Sequence, residues 1–137
     1  MKKEEITVDK IHKLYEYYAQ RNEKALNEIF HENIKWSQLP GFPGGMISIG
    51  LKQIFKNVFD GNANRWKEFS FEIDSISIGP EFVLVEGRYE VSAKNSGGQA
   101  TALTSHVYRF NEQGKIISFQ QYTDSKLLWD CYSLSLS

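Results

Sequence analysis

The sequence predicts an α+β fold in which a curved antiparallel sheet packs against about three N-terminal helices. Apolar residues recur at helical spacing over residues 6–30 and again over residues 51–59, and strand-like alternation dominates residues 69–123. The turns between the last four predicted strands are too short to hold crossover helices, which favours antiparallel pairing. A chain of 137 residues is long enough for one domain and hardly for a second, so we expect a single domain over residues 1–137.

Apolar stripes predict the helices. One stripe predicts a helix over residues 6–20, and a shorter stripe predicts a second helix over residues 23–30. A third helix is predicted over residues 51–59. Residues 61–64, a Gly-Asn-Ala-Asn segment, should end it because Gly and Asn tolerate the left-handed conformation of a helix stop.

The predicted strands follow from alternation. Residues 34–39 alternate as a short strand, and the Pro-Gly segment at 40–45 can continue neither a helix nor a strand. Alternation changes parity near Ser75, which predicts a bulge in the strand over residues 69–78. Later elements are strands at 83–91, 100–110 and 115–123, a hairpin loop at 95–98, a turn at 111–114, and a terminal helix at 125–132 with a loose tail after it.

Composition excludes several classes of function. Lys and Arg total 16 against 17 Asp and Glu, a balance that disfavours binding to nucleic acid or to an anionic membrane. The sequence has no glycine-rich phosphate loop, and its three His and single Cys show no metal-ligand spacing, so we expect no cofactor and no metal. Acidic residues stand where a signal peptide would be apolar, and no apolar run could span a membrane, which favours a cytoplasmic protein.

Several short segments occur in an order that is specific when taken together. They are Asn22–Phe30 leading into Ile34-Lys35-Trp36, the helix start Ile49-Gly50, His106–Phe110, Gly114-Lys115-Ile116 and Tyr122-Thr123-Asp124. Over roughly residues 8 to 130 this plan resembles the nuclear transport factor 2-like superfamily, with local matches to its ketosteroid isomerase and SnoaL-like polyketide cyclase branches. The resemblance implies a cone-shaped, cystatin-like roll whose sheet wraps around a cavity.

The catalytic carboxylates of those branches have no match here. The resemblance places the isomerase base at Gln38 or Leu39, its first-helix tyrosine at Leu14 and its strand aspartate at His106. It places the cyclase acid/base aspartate at Gln121. None of these side chains is a carboxylate that could take a proton from carbon, so steroid isomerisation by that mechanism is not expected.

His106 and Asp124 are the two catalytic candidates. His106 is the ordinary acid/base group of the implied cavity, but the favoured interpretation is a buried histidine bonded to Tyr or Gln. Asp124 could face the cavity mouth, or it or Ser125 could cap the terminal helix. The residues expected to line the cavity and bind a ligand are Tyr18, Trp36, Gln38, Phe55, Tyr89, Tyr108 and Gln121.

Aromatic residues make up 14% of the chain, and the implied cavity should contain few polar groups. We therefore expect a domain that binds a small hydrophobic molecule, such as a carbonyl compound or an epoxide. Its activity could be that of an isomerase, cyclase or hydrolase. The alternative is a non-catalytic domain for ligand binding or protein association.

The outer face of the sheet predicts a homodimer. Helices should cover only the inner face, which leaves the outer face to water or to a partner. That face carries Leu84, Leu103, Val107 and either Ile117 or Phe119. Opposite charges on the same face could meet across a two-fold axis.

Overall fold

The computed structural model describes residues 6–94 and 98–136, with side chains as far as Tyr132. Most of the hairpin loop predicted at 95–98 therefore lies outside the described residues. The helices are α1 (Val8–Gln20), α2 (Glu23–Ile29), α3 (Gly50–Ile54), α4 (Asp60–Arg65) and α5 (Ser125–Leu136). The strands are β1 (Phe30–Ser37), β2 (Ile47–Ile49), β3 (Trp66–Ile78), β4 (Phe82–Ala93), β5 (Gln99–Phe110) and β6 (Ile116–Thr123).

The predicted α+β class is confirmed. The strands form one sheet in the order β2-β1-β6-β5-β4-β3. The last four strands pair antiparallel as predicted, but β1 lies parallel to β6, so the sheet is mixed. Parallel pairing is possible here because the chain between β1 and β6 is far longer than a hairpin connection. The sequence analysis missed β2, a strand of three residues directly after the Pro-Gly segment.

The turn between the first two helices is tight. The Thr7 side chain accepts a hydrogen bond from the backbone N–H of Lys10 and so caps the start of α1. Arg21 ends the helix with a left-handed φ of 54°, and its N–H contacts the carbonyls of Tyr17 and Tyr18. This turn allows α2 to begin at Glu23, where the sequence predicted it.

The third helix is longer than predicted. After α3 the chain continues through a π-helical turn at Phe55–Phe59 and then through α4, so the predicted stop at residues 61–64 is wrong. Gly61 does not take the left-handed conformation that a helix stop requires. The Arg21 side chain, in the α1–α2 turn, bonds both the Asp60 carboxylate and the Phe59 carbonyl of this segment.

The sheet has the predicted irregularity and the predicted faces. The register of β3 against β4 shifts between Ile73 and Ser75, which confirms the bulge. The inward residues of β4 and β5 are Val83, Val85, Tyr89, Val91, Thr104, His106 and Tyr108, all of them buried. The residues that alternate with them along both strands form the outer face of the sheet.

The terminal helix is also longer than predicted. α5 runs to Leu136, so the loose tail expected after residue 132 is wrong. Leu128 and Cys131 on this helix are buried against Trp66 and Phe42, and this packing outweighs the weak helical signal of the Ser-Leu sequence. None of the helices in the described residues is both long and apolar enough to cross a membrane.

Candidate functional site

A cavity of about 490 Å³ lies between α1, the long third helix and the inner face of the sheet. Its volume is within the range of small-molecule sites. Its wall is largely aromatic and includes Tyr15, Tyr18, Trp36, Phe71, Tyr89 and Phe119. Arg21 and Lys67 also line it, whereas none of its lining residues in the described part of the chain is Asp or Glu. The helix spacing of α1 sets Tyr15 and Tyr18 side by side, with ring centroids 5.2 Å apart.

His106 lies at the polar end of this cavity. Its Nδ1 is 2.6 Å from the hydroxyl of Tyr15, and its Nε2 is 2.8 Å from the hydroxyl of Tyr89. The imidazole stacks on Phe71 with ring centroids 4.2 Å apart, and only 4% of the residue is exposed. Burial lowers the pKa of His106 to about 3, so the ring is neutral near neutral pH.

Further hydroxyl and amide groups extend this contact in both directions. Tyr108 donates to the hydroxyl of Tyr15 at 2.9 Å, and the hydroxyl of Tyr18 lies 3.1 Å from that of Tyr108. On the other side, the Gln121 Nε2 donates to the hydroxyl of Tyr89 at 2.7 Å. Burial raises the pKa of all four tyrosines, so each keeps its proton. We call the series Tyr18, Tyr108, Tyr15, His106, Tyr89 the tyrosine–histidine chain.

The structure brings most of the predicted site residues together. Tyr18, Trp36, Gln38, Tyr89 and His106 line the cavity. Tyr108 and Gln121 do not line it, but their side chains hydrogen-bond to tyrosines that do. Phe55 lies in the π-helical turn, where it packs on Phe59 and the core rather than on the cavity.

Asp124 lies apart from the cavity. Its side chain is exposed, it directly precedes α5, and it is not among the residues that line the cavity. Its backbone N–H donates to the carbonyl of Leu103 at the point where the chain leaves β6. We therefore assign Asp124 no role in chemistry inside the cavity.

The sequence analysis missed Tyr15. The resemblance pointed to Leu14, which is buried in the core, whereas the next residue carries the hydroxyl that meets His106. The spacing of three residues between Tyr15 and Tyr18 could have identified it, because residues three apart share a helix face. Phe69 and Phe71 were missed as well, although their alternation on β3 gives them the same inward direction.

The cavity mouth is bridged by Arg21. Its Nη1 lies 2.6 Å from the Asp60 carboxylate, and its Nη2 donates to the Phe59 carbonyl at 2.9 Å. The guanidinium carbon also lies 5.6 Å from the centroid of the Phe59 ring. The α1–α2 turn is thus attached to the π-helical turn beside the opening. Within residues 6–94 and 98–136, no group of three or more His, Cys, Asp or Glu could hold a metal ion.

Comparisons with known proteins agree with this architecture. The family model of the SnoaL-like domain matches residues 11–119. No curated protein matches the chain. An NTF2-like protein from Burkholderia thailandensis is similar in structure, with 26% identity, a TM-score of 0.78, and coverage of 85% of this chain and 89% of that one.

Two further solved structures share the fold at lower identity. A hypothetical protein with a ketosteroid isomerase-like fold from Catenulispora acidiphila, in complex with trimethylamine, is 16% identical with a TM-score of 0.76, covering 94% of this chain and 95% of that one. TerC co-crystallised with polyporic acid is 17% identical with a TM-score of 0.73, covering 90% of this chain and 97% of that one.

Proposed function

The chain belongs to the SnoaL-like domain family, and from that premise we propose that it binds a small, largely hydrophobic molecule in the cavity beneath α1. The observation that carries this proposal is the cavity itself, which joins aromatic walls to one cluster of polar groups. Concave apolar sites with a few convergent polar groups are typical of small-molecule binding. Flat aromatic walls favour a flat ligand, since stacked and edge-on ring contacts add to the gain from burial.

Proteins of the same fold support this proposal. TerC was co-crystallised with polyporic acid, and the Catenulispora protein was solved in complex with trimethylamine. Their identity to this chain is low, so they support the use of the fold for small molecules and not a particular ligand.

The site chemistry favours binding over acid/base catalysis. The described lining residues include no carboxylate, and His106 is neutral with both ring nitrogens bonded to tyrosines. An isomerase, cyclase or hydrolase reaction that depends on a cavity carboxylate is therefore not part of the proposal. The polar cluster can instead hold and polarise an oxygen atom of the ligand.

Thermal unfolding with a panel of polycyclic ketones, quinones, steroids and terpenoids tests the proposal. A ligand that binds only the folded protein must raise the melting temperature. Ala19 is exposed on α1 and lines the cavity, so Ala19→Trp should block entry and abolish the rise. Gln20→Trp is the matched control, because Gln20 is also exposed on α1 and does not line the cavity. No rise with any compound, or an equal rise in Ala19→Trp, would contradict the proposal.

A second candidate function, association, is favoured by the outer face of the sheet. Leu103 is 73% exposed there, and Ile117 lies on the outside while Phe119 is buried on the inside. Leu103 lines an open groove of about 600 Å³ on this face. We propose that a second copy of the chain covers it. Glu86 and Arg109 lie on the same face, so each could meet the opposite charge of the other copy.

Light scattering at micromolar concentration tests this association. We expect a dimer of the 15.8 kDa chain, and Leu103→Glu should dissociate it by placing a charge in the apolar contact. Gln113→Glu, in the exposed turn before β6, adds the same charge elsewhere and should leave the dimer intact. A monomeric wild-type protein would reject the dimer, and a dimer that survives Leu103→Glu would reject this surface.

A further inference from the structure

The tyrosine–histidine chain contains one more donor proton than its own contacts use. Each of its four tyrosines carries one hydroxyl proton, and the neutral imidazole carries one N–H. Consecutive members make four hydrogen bonds, so one of the five protons has no acceptor within the tyrosine–histidine chain. The position of that proton decides which side chain can donate to a ligand.

The hydrogen-bond directions locate the surplus proton. Tyr108 donates to Tyr15, so its single proton is used, and Tyr18 must donate to Tyr108. The separation of 2.6 Å between the Tyr15 hydroxyl and the His106 Nδ1 is short for an N–H donor. N–H···O bonds span roughly 2.7–3.2 Å, so Tyr15 is the donor and Nδ1 the acceptor. The Nε2 then carries the imidazole proton and donates to Tyr89 at 2.8 Å.

The surplus proton therefore belongs to Tyr89. Its hydroxyl oxygen accepts from the His106 Nε2 and from the Gln121 Nε2, and neither contact takes up its own proton. The Gln121 Oε1 is also buried without a partner among the described residues, but it is the Nε2 of that amide that meets the Tyr89 hydroxyl. Tyr89 is 4% exposed and lines the cavity. A buried donor that lacks an acceptor is costly, so a ligand oxygen that supplies one is favoured.

Two indole groups of the cavity wall have the same character. The Nε1–H groups of Trp36 and Trp66 are buried without a hydrogen-bond partner in the described part of the chain, and both residues line the cavity. Indole nitrogen can only donate. Among the residues that the structure describes, the wall thus offers spare donors and no carboxylate that could accept from a ligand.

We infer that the Tyr89 hydroxyl is the donor that selects the ligand, and that the ligand places an oxygen acceptor such as a carbonyl, quinone or epoxide oxygen against it. This inference rests on the proposed binding function. His106 is a positioning residue, because both its nitrogens are engaged and its Nε2–H directs the proton of Tyr89 away from the imidazole.

Fluorene and fluorenone test the inference, because the two rigid tricyclic molecules differ by one ketone oxygen. We expect fluorenone to bind more tightly than fluorene, so the dissociation constant of fluorene divided by that of fluorenone, both measured by calorimetry, should exceed one. That ratio should fall about fivefold to tenfold in Tyr89→Phe, as expected for one net hydrogen bond. Tyr17→Phe is the control, since it removes the same hydroxyl from a half-buried tyrosine that does not line the cavity, and it should keep the wild-type ratio.

A ligand-free measurement keeps the two proposals distinguishable. Nitrogen-15 NMR of the imidazole should show His106 as the neutral tautomer with the proton on Nε2, and a proton on Nδ1 would overturn the inference. If both ligands bind and Tyr89→Phe leaves their ratio unchanged, the inference is overturned and the binding function stands. If neither ligand binds the wild-type protein, the ligand preference is rejected together with the proposed binding of flat hydrophobic molecules.

Discussion

The two faces of β5 differ in a way that identifies both candidate surfaces of the protein. Inside, Thr104, His106 and Tyr108 are polar yet buried, and each makes hydrogen bonds to another element. Outside, Leu103 is apolar yet 73% exposed, and Val107 is half-buried. A buried polar group is informative because it must be satisfied, and exposed apolar residues are informative when they form a patch.

The two faces differ in where the contacts of their side chains come from. The inner residues of β5 make their hydrogen bonds within one chain, through partners on α1, β4 and β6. On the outer face, a partner of the kind proposed above would cover the apolar residues. Substitutions inside should therefore change the stability of the monomer, whereas substitutions outside should leave it unchanged.

The largest expected effect is that of Tyr108→Ala. Tyr108 is fully buried and packs on Phe119, so its loss leaves a cavity and removes two hydrogen bonds. We expect the free energy of unfolding to fall by about 4 kcal/mol. Arg109→Ala, at the next residue but on the outer face, should change it by less than about 0.5 kcal/mol. Urea titration of both variants, at protein concentrations too low for the proposed dimer to form, measures this contrast. Equal losses of stability in the two variants would contradict it.

The second effect is a pH dependence carried by His106. The folded protein holds the pKa of His106 near 3, whereas the unfolded chain takes up a proton near the ordinary value of 6.5. The unfolded state therefore binds more protons between these values, and the stability falls as the pH falls. Each pH unit well below 6.5 costs about 1.4 kcal/mol, so wild type should lose about 2 kcal/mol more than His106→Phe between pH 7 and pH 5.

Denaturant titrations at both pH values measure this difference. Comparing each protein with itself removes the overall cost of the substitution, and the remaining titrating groups are common to both. Parallel losses in wild type and His106→Phe would show that His106 titrates in the folded state as freely as in the unfolded chain. Such a result would show that burial does not keep the imidazole of His106 neutral below its ordinary pKa.

The sheet could be predicted well because its signal is local. Alternation with a period of two assigned Tyr89, His106 and Tyr108 to one face, and the change of parity near Ser75 predicted the bulge. The resemblance added the order of the elements. Alternation depends on residues that are close together in the chain, and the resemblance depends on the order of short segments along it.

The missed features depend on contacts between distant residues. The third helix continues past Gly61, and Arg21, which is far away in the sequence, bonds Asp60 in this segment. The hydroxyl of Tyr15 meets an imidazole that follows it by 91 residues, and no local pattern specifies that pairing. The strength of a periodic pattern therefore does not show which side chains complete a site.

The smallest expected effect concerns the charged residues of the outer face. Arg88 forms ion pairs with Asp74 and Glu90 across and along the sheet, and these raise the pKa of Arg88. Such exposed pairs contribute little, because water and salt screen the charges and the side chains lose freedom when they pair. Arg88→Gln should therefore leave the urea midpoint of the monomer within experimental error of wild type, at both low and high salt. A clear loss at low salt that disappears at high salt would show that the charges of the outer face stabilise the fold themselves. The contrast between the two faces of the sheet would then be one of degree, and the argument that the outer face is free to serve a partner would lose its basis.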